Sequence, residues 1–268
     1  MTVLVLPPRM TPDSQALEAA ALAEGWDVER IANWRAIECL RGKEVVVYGD
    51  FLFAEVIADT LALALLEPRL DWLAKLAEKY RLRRVEYTTL GKARLAPGPL
   101  FIKPAEDKCF PAAIYADGEE LPCDQSTLAD DTPVLMSEPV QWDVEYRCFV
   151  REHEVADVAP YCRAGEGLLC KPGKFEPGTA IGSAEESAAA LAFTSRLLGD
   201  DAVVVPPAFV LDVGVIHNRG WAVVEVNSIF GANLFGCNPR LVLNVIRRAC
   251  PHTSQITPAD KAWIRPRR

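Results

Sequence analysis

The chain has 268 residues, half of them apolar and a quarter charged, with 29 Lys and Arg against 37 Asp and Glu for a net charge of −8. That length suits one large domain or two to three lobes with a shared core, and the composition is ordinary for a globular protein. The acid excess is concentrated between Pro104 and Tyr146, where eleven acids face one base, Lys108; such a surface repels a nucleic-acid backbone, so no nucleic-acid partner is expected. The apolar run at 56–66 is too short for a bilayer and contains Asp59, and the opening "MTVLVLPPRM" lacks a basic region leading into a signal-type run, so a cytoplasmic protein without a membrane partner is expected. Eight scattered cysteines form no C-x-x-C pair and only three histidines are present; reduced thiols and no structural zinc are the expectation.

"TVLVL" (2–6) reads as a buried strand, followed by a helix in "TPDSQALEAAALAEGW" with a capping residue, an early Pro and Gly25 near its stop. "EVVVYG" (44–49) is a second strand and "FLFAEVIADTLALALL" an apolar helix. Strand, helix, strand, helix is the pattern of a parallel sheet with helices packed on it. Leu70, Leu73, Leu76 and Ala77 recur at helical spacing and predict an amphipathic helix over 69–80, before a strand in "RRVEYTTL". From about residue 93 strands dominate: 99–103, 112–116, 133–137, 144–150 and 154–161. A helix at 183–199 opens on a capping box, Ser183 with Glu186, and closes on Gly199. The strands "AFVLDVGVI" and "WAVVEVN" join through the turn "HNRG", and "PRLVLNVIRRA" (239–249) is the last helix. The expected division by texture is an N-terminal α/β part at 1–92, a strand-rich part at 93–252 and a Pro- and Arg-containing tail at 253–268.

Glu225 interrupts the apolar strand "WAVVEVN", and a carboxylate there is costly unless something positive meets it. Asn227, two residues on, projects to the same side. Asp212 lies inside the partner strand, 13 residues earlier. A tight hairpin sets both acids on one face, within reach of one cation. With Asn227 they form an all-oxygen set suited to Mg2+ or Mn2+ rather than zinc, which in turn predicts a bound nucleotide. The competing reading is that the two acids pair with nearby arginines as buried salt bridges. Lys103 ends the apolar strand "PLFIK", where an ammonium needs an anion, and is a candidate phosphate ligand. No G-x-x-x-x-G-K-[ST] or G-x-G-x-x-G occurs, which removes the P-loop and dinucleotide readings.

Taken in order, "PLFIKP", "PVLMSEPV", "EYRCFV", "AFVLDVG" and "AVVEVNSIFGANLFG" resemble the ATP-grasp superfamily over roughly residues 93–250. Within it, "LLEPRLDWLAKLAEKYRLRRVEYTTL" and "FIKPAEDKCF" look closest to a clade named for its paired arginine and lysine residues. The resemblance implies two α+β lobes clamping ATP at 93–252, with a crossover near 134–140, behind a smaller N-terminal α/β domain at 1–92. It also implies a ligase that joins a carboxylate to an amine through an acylphosphate, with an amino acid, peptide or protein as substrate. Carried over by motif, Lys103 grips the α- and β-phosphates, Ser137 and Glu138 present backbone to adenine, and Glu145 lies near the ribose. Asp212, Glu225 and Asn227 hold Mg2+ (or Mn2+), and Arg147 and Lys171 line the γ-phosphate and acylphosphate; Lys108 is a further nucleotide candidate. Each has a plain structural rival: Arg147 neutralising Glu145 or Asp143, Lys174 serving in place of Lys171, Lys108 and Glu138 simply solvated, Arg83 and Arg84 placed as helix-end cations. The resemblance is imperfect, because "AEDKCFPAAIYADGEE" replaces the usual glycine-rich phosphate lid and Pro139 lacks the amide donor expected beside Glu138. A small-molecule kinase and a non-catalytic nucleotide-binding regulator are the alternative functions.

Overall fold

The structure is a computed structural model that describes residues 2–32, 34–106, 108–122, 128–164, 166–167 and 182–266. Its first sheet is parallel, in the order β2-β1-β3, from β1 (Thr2–Leu6), β2 (Asp27–Arg30) and β3 (Glu44–Val47). Helix α1 (Pro12–Ala23) starts at Thr11, whose side chain caps Ser14 in a capping box, and the chain leaves it through Gly25 at φ +74. Helix α2 (Phe51–Leu61) is capped by Asp50. The sequence showed β1 and β3; β2, with only Val28 apolar in "DVER", carries no alternation to find it by.

The expected helix at 69–80 is two single turns, α3 (Trp72–Lys75) and α4 (Glu78–Arg81), with Leu76 and Ala77 extended between them. Tertiary anchors decide this. The Trp72 indole donates to the Val204 carbonyl at 2.7 Å and the Tyr80 hydroxyl to Asp200 at 2.9 Å, so both ends are fastened to the same neighbouring segment.

The second sheet is antiparallel, in the order β4-β7-β5-β6. It comprises β4 (Val85–Thr89), β5 (Leu100–Pro104), β6 (Ala113–Tyr115) and β7 (Pro133–Ser137), with the short α5 (Leu90–Ala93) after β4. By hydrogen bonding this sheet begins at Val85, ahead of the expected division at 92, because β4 pairs along β7 from Val85↔Ser137 to Thr89↔Pro133. The third sheet runs β10-β9-β8-β11-β12, from β8 (Trp142–Arg151), β9 (Glu154–Arg163), β10 (Glu166–Gly167), β11 (Ala208–Ile216) and β12 (Gly220–Asn227). Helix α6 (Ala184–Leu198), with the expected Ser183–Glu186 capping box, covers one face of it. Phe193 and Leu197 of that helix pack in one apolar layer with Tyr146, Leu211, Val213 and Val223. Helix α7 (Pro239–Ala249) joins the core of the first sheet, which Phe149 and Val210 also enter from the opposite face of the third.

The expected tail folds back. Trp263 is buried, Ile264 bridges to Leu66, and the Arg265 guanidinium is only 8% exposed among Glu55, Glu67 and Glu106 at 3.5, 2.7 and 2.9 Å. No helix among the described residues is long and apolar enough to cross a membrane.

Candidate nucleotide and metal site

The face of the third sheet away from α6 carries the acids. Asp212 on β11 stands directly opposite Arg147 of β8 on one side and Glu225 of β12 on the other. The alternation of strand side chains adds Glu145 beside Arg147, and Asn227 beside Glu225. Asp212 is fully buried, and Arg147 grips it with two donors, Nε to Oδ1 at 2.9 Å and Nη2 to Oδ2 at 2.7 Å. Burial pushes the Asp212 carboxyl up to about 6, against the pull of Arg147.

Lys103 reaches across from β5 of the second sheet. Its ammonium donates to Glu225 Oε2, so the anion that the lysine needs at its strand end is Glu225 itself. Burial pushes the Glu225 carboxyl up, but Lys103 and then Asn227 outweigh it and bring it down to about 2. Asn227 Nδ2 donates to Glu225 Oε1 at 2.8 Å and to Asp212 Oδ2 at 3.4 Å, closing one network over both acids. Asp212 therefore has the arginine of the competing reading, Glu225 has a lysine in its place, and the two carboxylates share a face.

Several parts of the site had no signal in the sequence. The Arg147 guanidinium lies 4.5 Å from the Phe235 ring and 5.5 Å from the Tyr161 ring, and donates to the Asn233 carbonyl at 3.0 Å. The Tyr161 hydroxyl donates to Glu145 at 2.8 Å; burial leads in raising both that carboxyl and that phenol. From the N-terminal part of the chain, the Tyr48 hydroxyl, just past β3, donates to the Ala232 carbonyl at 3.0 Å, and Asp13 of α1 accepts from the Leu234 N–H at 3.2 Å. The loop "SIFGANLFG" is thus held from both sides, over the buried arginine.

The donor set fits a hard divalent ion. Mg2+ is commonly bound through one or two carboxylates, completed by water and phosphate oxygens. Asp212, Glu225 and the Asn227 carboxamide would hold it, once Lys103 leaves Glu225 and the amide turns its oxygen inward. No denser cluster of His, Cys, Asp or Glu competes among the described residues.

The remaining candidates divide. Ser137 ends β7, an inner strand paired with both β4 and β5. The Glu138 N–H donates to the Arg84 carbonyl at 3.2 Å, and its carboxylate accepts from the Arg84 N–H and pairs with Arg219. The Glu138 amide is therefore spent inside the fold, and the expected backbone donor to adenine is not free there. Lys108 is exposed, and no contact among the described residues ties it to the acids. Lys171 and Lys174 lie outside the described residues.

A family model for the ATP-grasp domain, family 2 of the R-2-K clade, matches residues 80–245, a span that holds the second and third sheets with Lys103, Asp212 and Glu225. The chain belongs to that ATP-grasp family. A comparison with curated proteins returned no match. Among solved structures, the fold is similar to D-alanine–D-alanine ligase from Bacillus anthracis, at 13% identity and TM-score 0.52 over 92% of this chain and 96% of that one. It is also similar to N5-carboxyaminoimidazole synthetase from Staphylococcus aureus, at 8% identity and TM-score 0.53 over 92% of this chain and 77% of that one. D-cycloserine synthetase DcsG gives 15% identity and TM-score 0.52 over 91% and 98%. At such identities the likeness concerns the fold.

Proposed function

We propose that the chain is an ATP- and Mg2+-dependent carboxylate–amine ligase acting on an amino acid, peptide or protein. One observation carries the reading: Asp212 and Glu225 face each other across adjacent strands of the third sheet, and Lys103 of the second sheet reaches Glu225. The ATP-grasp neighbours point the same way, since one is a D-alanine–D-alanine ligase solved with ATP, at 13% identity and TM-score 0.50.

In this reading Lys103 exchanges Glu225 for the α- and β-phosphates, a point charge moving from one anion to another. Asp212, Glu225 and Asn227 would hold Mg2+, which would supply positive charge against the phosphate tail. Glu145 lies near the ribose and the crossover at Ser137–Glu138 near adenine, by its carbonyls rather than the Glu138 amide. A substrate carboxylate oxygen bonds to the γ-phosphorus as the bond to ADP breaks. The amine nitrogen then attacks the acyl carbon, the bond to phosphate breaks, and the nitrogen's proton passes to the departing phosphate. Arg147, fixed by Asp212 and two aromatic rings, keeps a permanent positive charge near the developing anion, with Lys171 as its partner.

The test is purified protein with ATP, Mg2+ and mixed amino acids, read by phosphate release and product mass. Amine-dependent phosphate release with a condensed product supports the ligase. A phosphorylated product would make it a kinase, and Mg2+-dependent nucleotide binding without turnover a regulator. Glu225→Gln and Lys103→Ala should both abolish turnover; full activity in both would remove the site.

A further inference from the structure

Strand β12 presents its acid against its own alternation. Trp221, Val223 and Glu225 are spaced by two, so an unbroken strand would turn all three to one side. Trp221 and Val223 lie in the apolar layer under α6 with Phe193. Glu225 nevertheless faces Asp212, because the register shifts by one residue: Val223 stands opposite Val213 while Glu225 stands opposite Asp212. Val224 is the extra residue, a bulge, and it alone brings the acid onto the face of Asp212 and Lys103.

Something must hold that irregular backbone, since buried carbonyls need partners. Arg83 does so. Its Nη1 donates to the Val223 carbonyl at 2.6 Å and its Nη2 to the Val224 carbonyl at 2.8 Å. Successive carbonyls of a regular strand point to opposite edges, so one fork that bonds both is matched to the bulge itself. Arg83 is only 6% exposed, forms no ion pair among the described residues, and lies 5.0 Å from the Trp142 ring. Its remaining bond, to the Arg81 carbonyl at 3.2 Å, is local. A guanidinium buried without a carboxylate is costly, and burial lowers its pKa to about 10. That cost is intelligible if the planar fork does what a lysine's point charge cannot.

We propose that Arg83 is a positioning residue of the metal–nucleotide site: its guanidinium fixes the bulge at Val224 and so keeps the Glu225 carboxylate on the face of Asp212. This rests on the site reading given above. The test uses the full chain with Arg83→Met and Arg83→Lys. Mn2+ uptake in the presence of ATP is read by the electron paramagnetic resonance of free Mn2+, beside ATP binding in EDTA and the unliganded melting temperature. Arg83→Met should weaken Mn2+ uptake at least tenfold while metal-free ATP binds as before or more tightly, because Lys103 is released from Glu225. Arg83→Lys, which keeps one charged donor, should recover part of the uptake, and it carries the test if the Met variant does not fold. Equal losses with and without metal, or Mn2+ uptake like wild type, would overturn the role of Arg83 alone. Wild-type protein that takes up no Mn2+ with ATP would overturn the site itself, and this role with it.

Discussion

Asp212→Asn takes one negative charge from a position without solvent access and leaves the Arg147 guanidinium facing a neutral amide. The bidentate pair at 2.9 and 2.7 Å is lost as an ion pair, although Arg147 keeps the Asn233 carbonyl. Removing one partner of a buried pair costs about 3–5 kcal/mol, and the remaining contacts of Arg147 place this case toward the lower end. At about 2–4 °C per kcal/mol for a chain of this length, a loss of about 3 kcal/mol should lower the melting temperature by about 6–12 °C. Removing both charges with apolar residues, Asp212→Leu with Arg147→Met, is instead expected to be near neutral or stabilising by about 1–4 kcal/mol. Neither variant should regain the stabilisation of about 2.7 kcal/mol that Mg·ATP confers at a hundred times its dissociation constant. Scanning calorimetry with and without Mg·ATP reads all of this. A single variant melting within about 2 °C of wild type, or a double variant less stable than the single, would refute the account of a buried pair retained for function.

Lys103→Met removes a pair that is more open, with side chains 21% and 29% exposed. It should cost the unliganded fold about 1 kcal/mol or less, yet weaken Mg·ATP binding at least tenfold by calorimetric titration, about 1.4 kcal/mol. Arg265→Ala should lower stability by about 3–5 kcal/mol in urea denaturation, because it strips the cation from Glu55, Glu67 and Glu106; a surface-like loss would show that the C-terminal return is not part of the core. Asp200 is held at about 2, below its ordinary 3.8, by Lys79 first and then the Ala202 N–H and the Tyr80 hydroxyl. Its contribution is complete above pH 3.8 and is lost as pH falls through 2. The stability curves of wild type and Asp200→Asn should therefore converge over that window, and parallel curves would contradict the assignment.

The hairpin was legible because a charged residue in an apolar strand is costly, and Asp212 and Glu225 both carry that signal. Period-two alternation found most strands, and side-chain chemistry found the Thr11 and Ser183 caps, since each depends only on neighbours in the chain. What escaped depends on distant neighbours. The spacing of Leu73 and Leu76 is the same in a helix and in the broken segment observed, and only Val204 and Asp200 distinguish them. The bulge at Val224 has no residue signature, because Val suits a regular strand equally. Arg83 reads as a helix-end cation in the sequence, and only the two carbonyls it binds in space reveal otherwise. Residues 253–268 read only as a tail because Trp263 and Arg265 find their partners some two hundred residues earlier in the chain, at Glu67 and its neighbours.

The most direct measurement is the anomalous scattering of Mn2+ in crystals grown with a non-hydrolysable ATP analogue. The account places a peak at about 2.0–2.2 Å from carboxylate oxygens of Asp212 and Glu225, with the Lys103 ammonium moved from Glu225 onto phosphate. A nucleotide bound elsewhere, or a peak absent from these acids while Lys103 still holds Glu225, would contradict it.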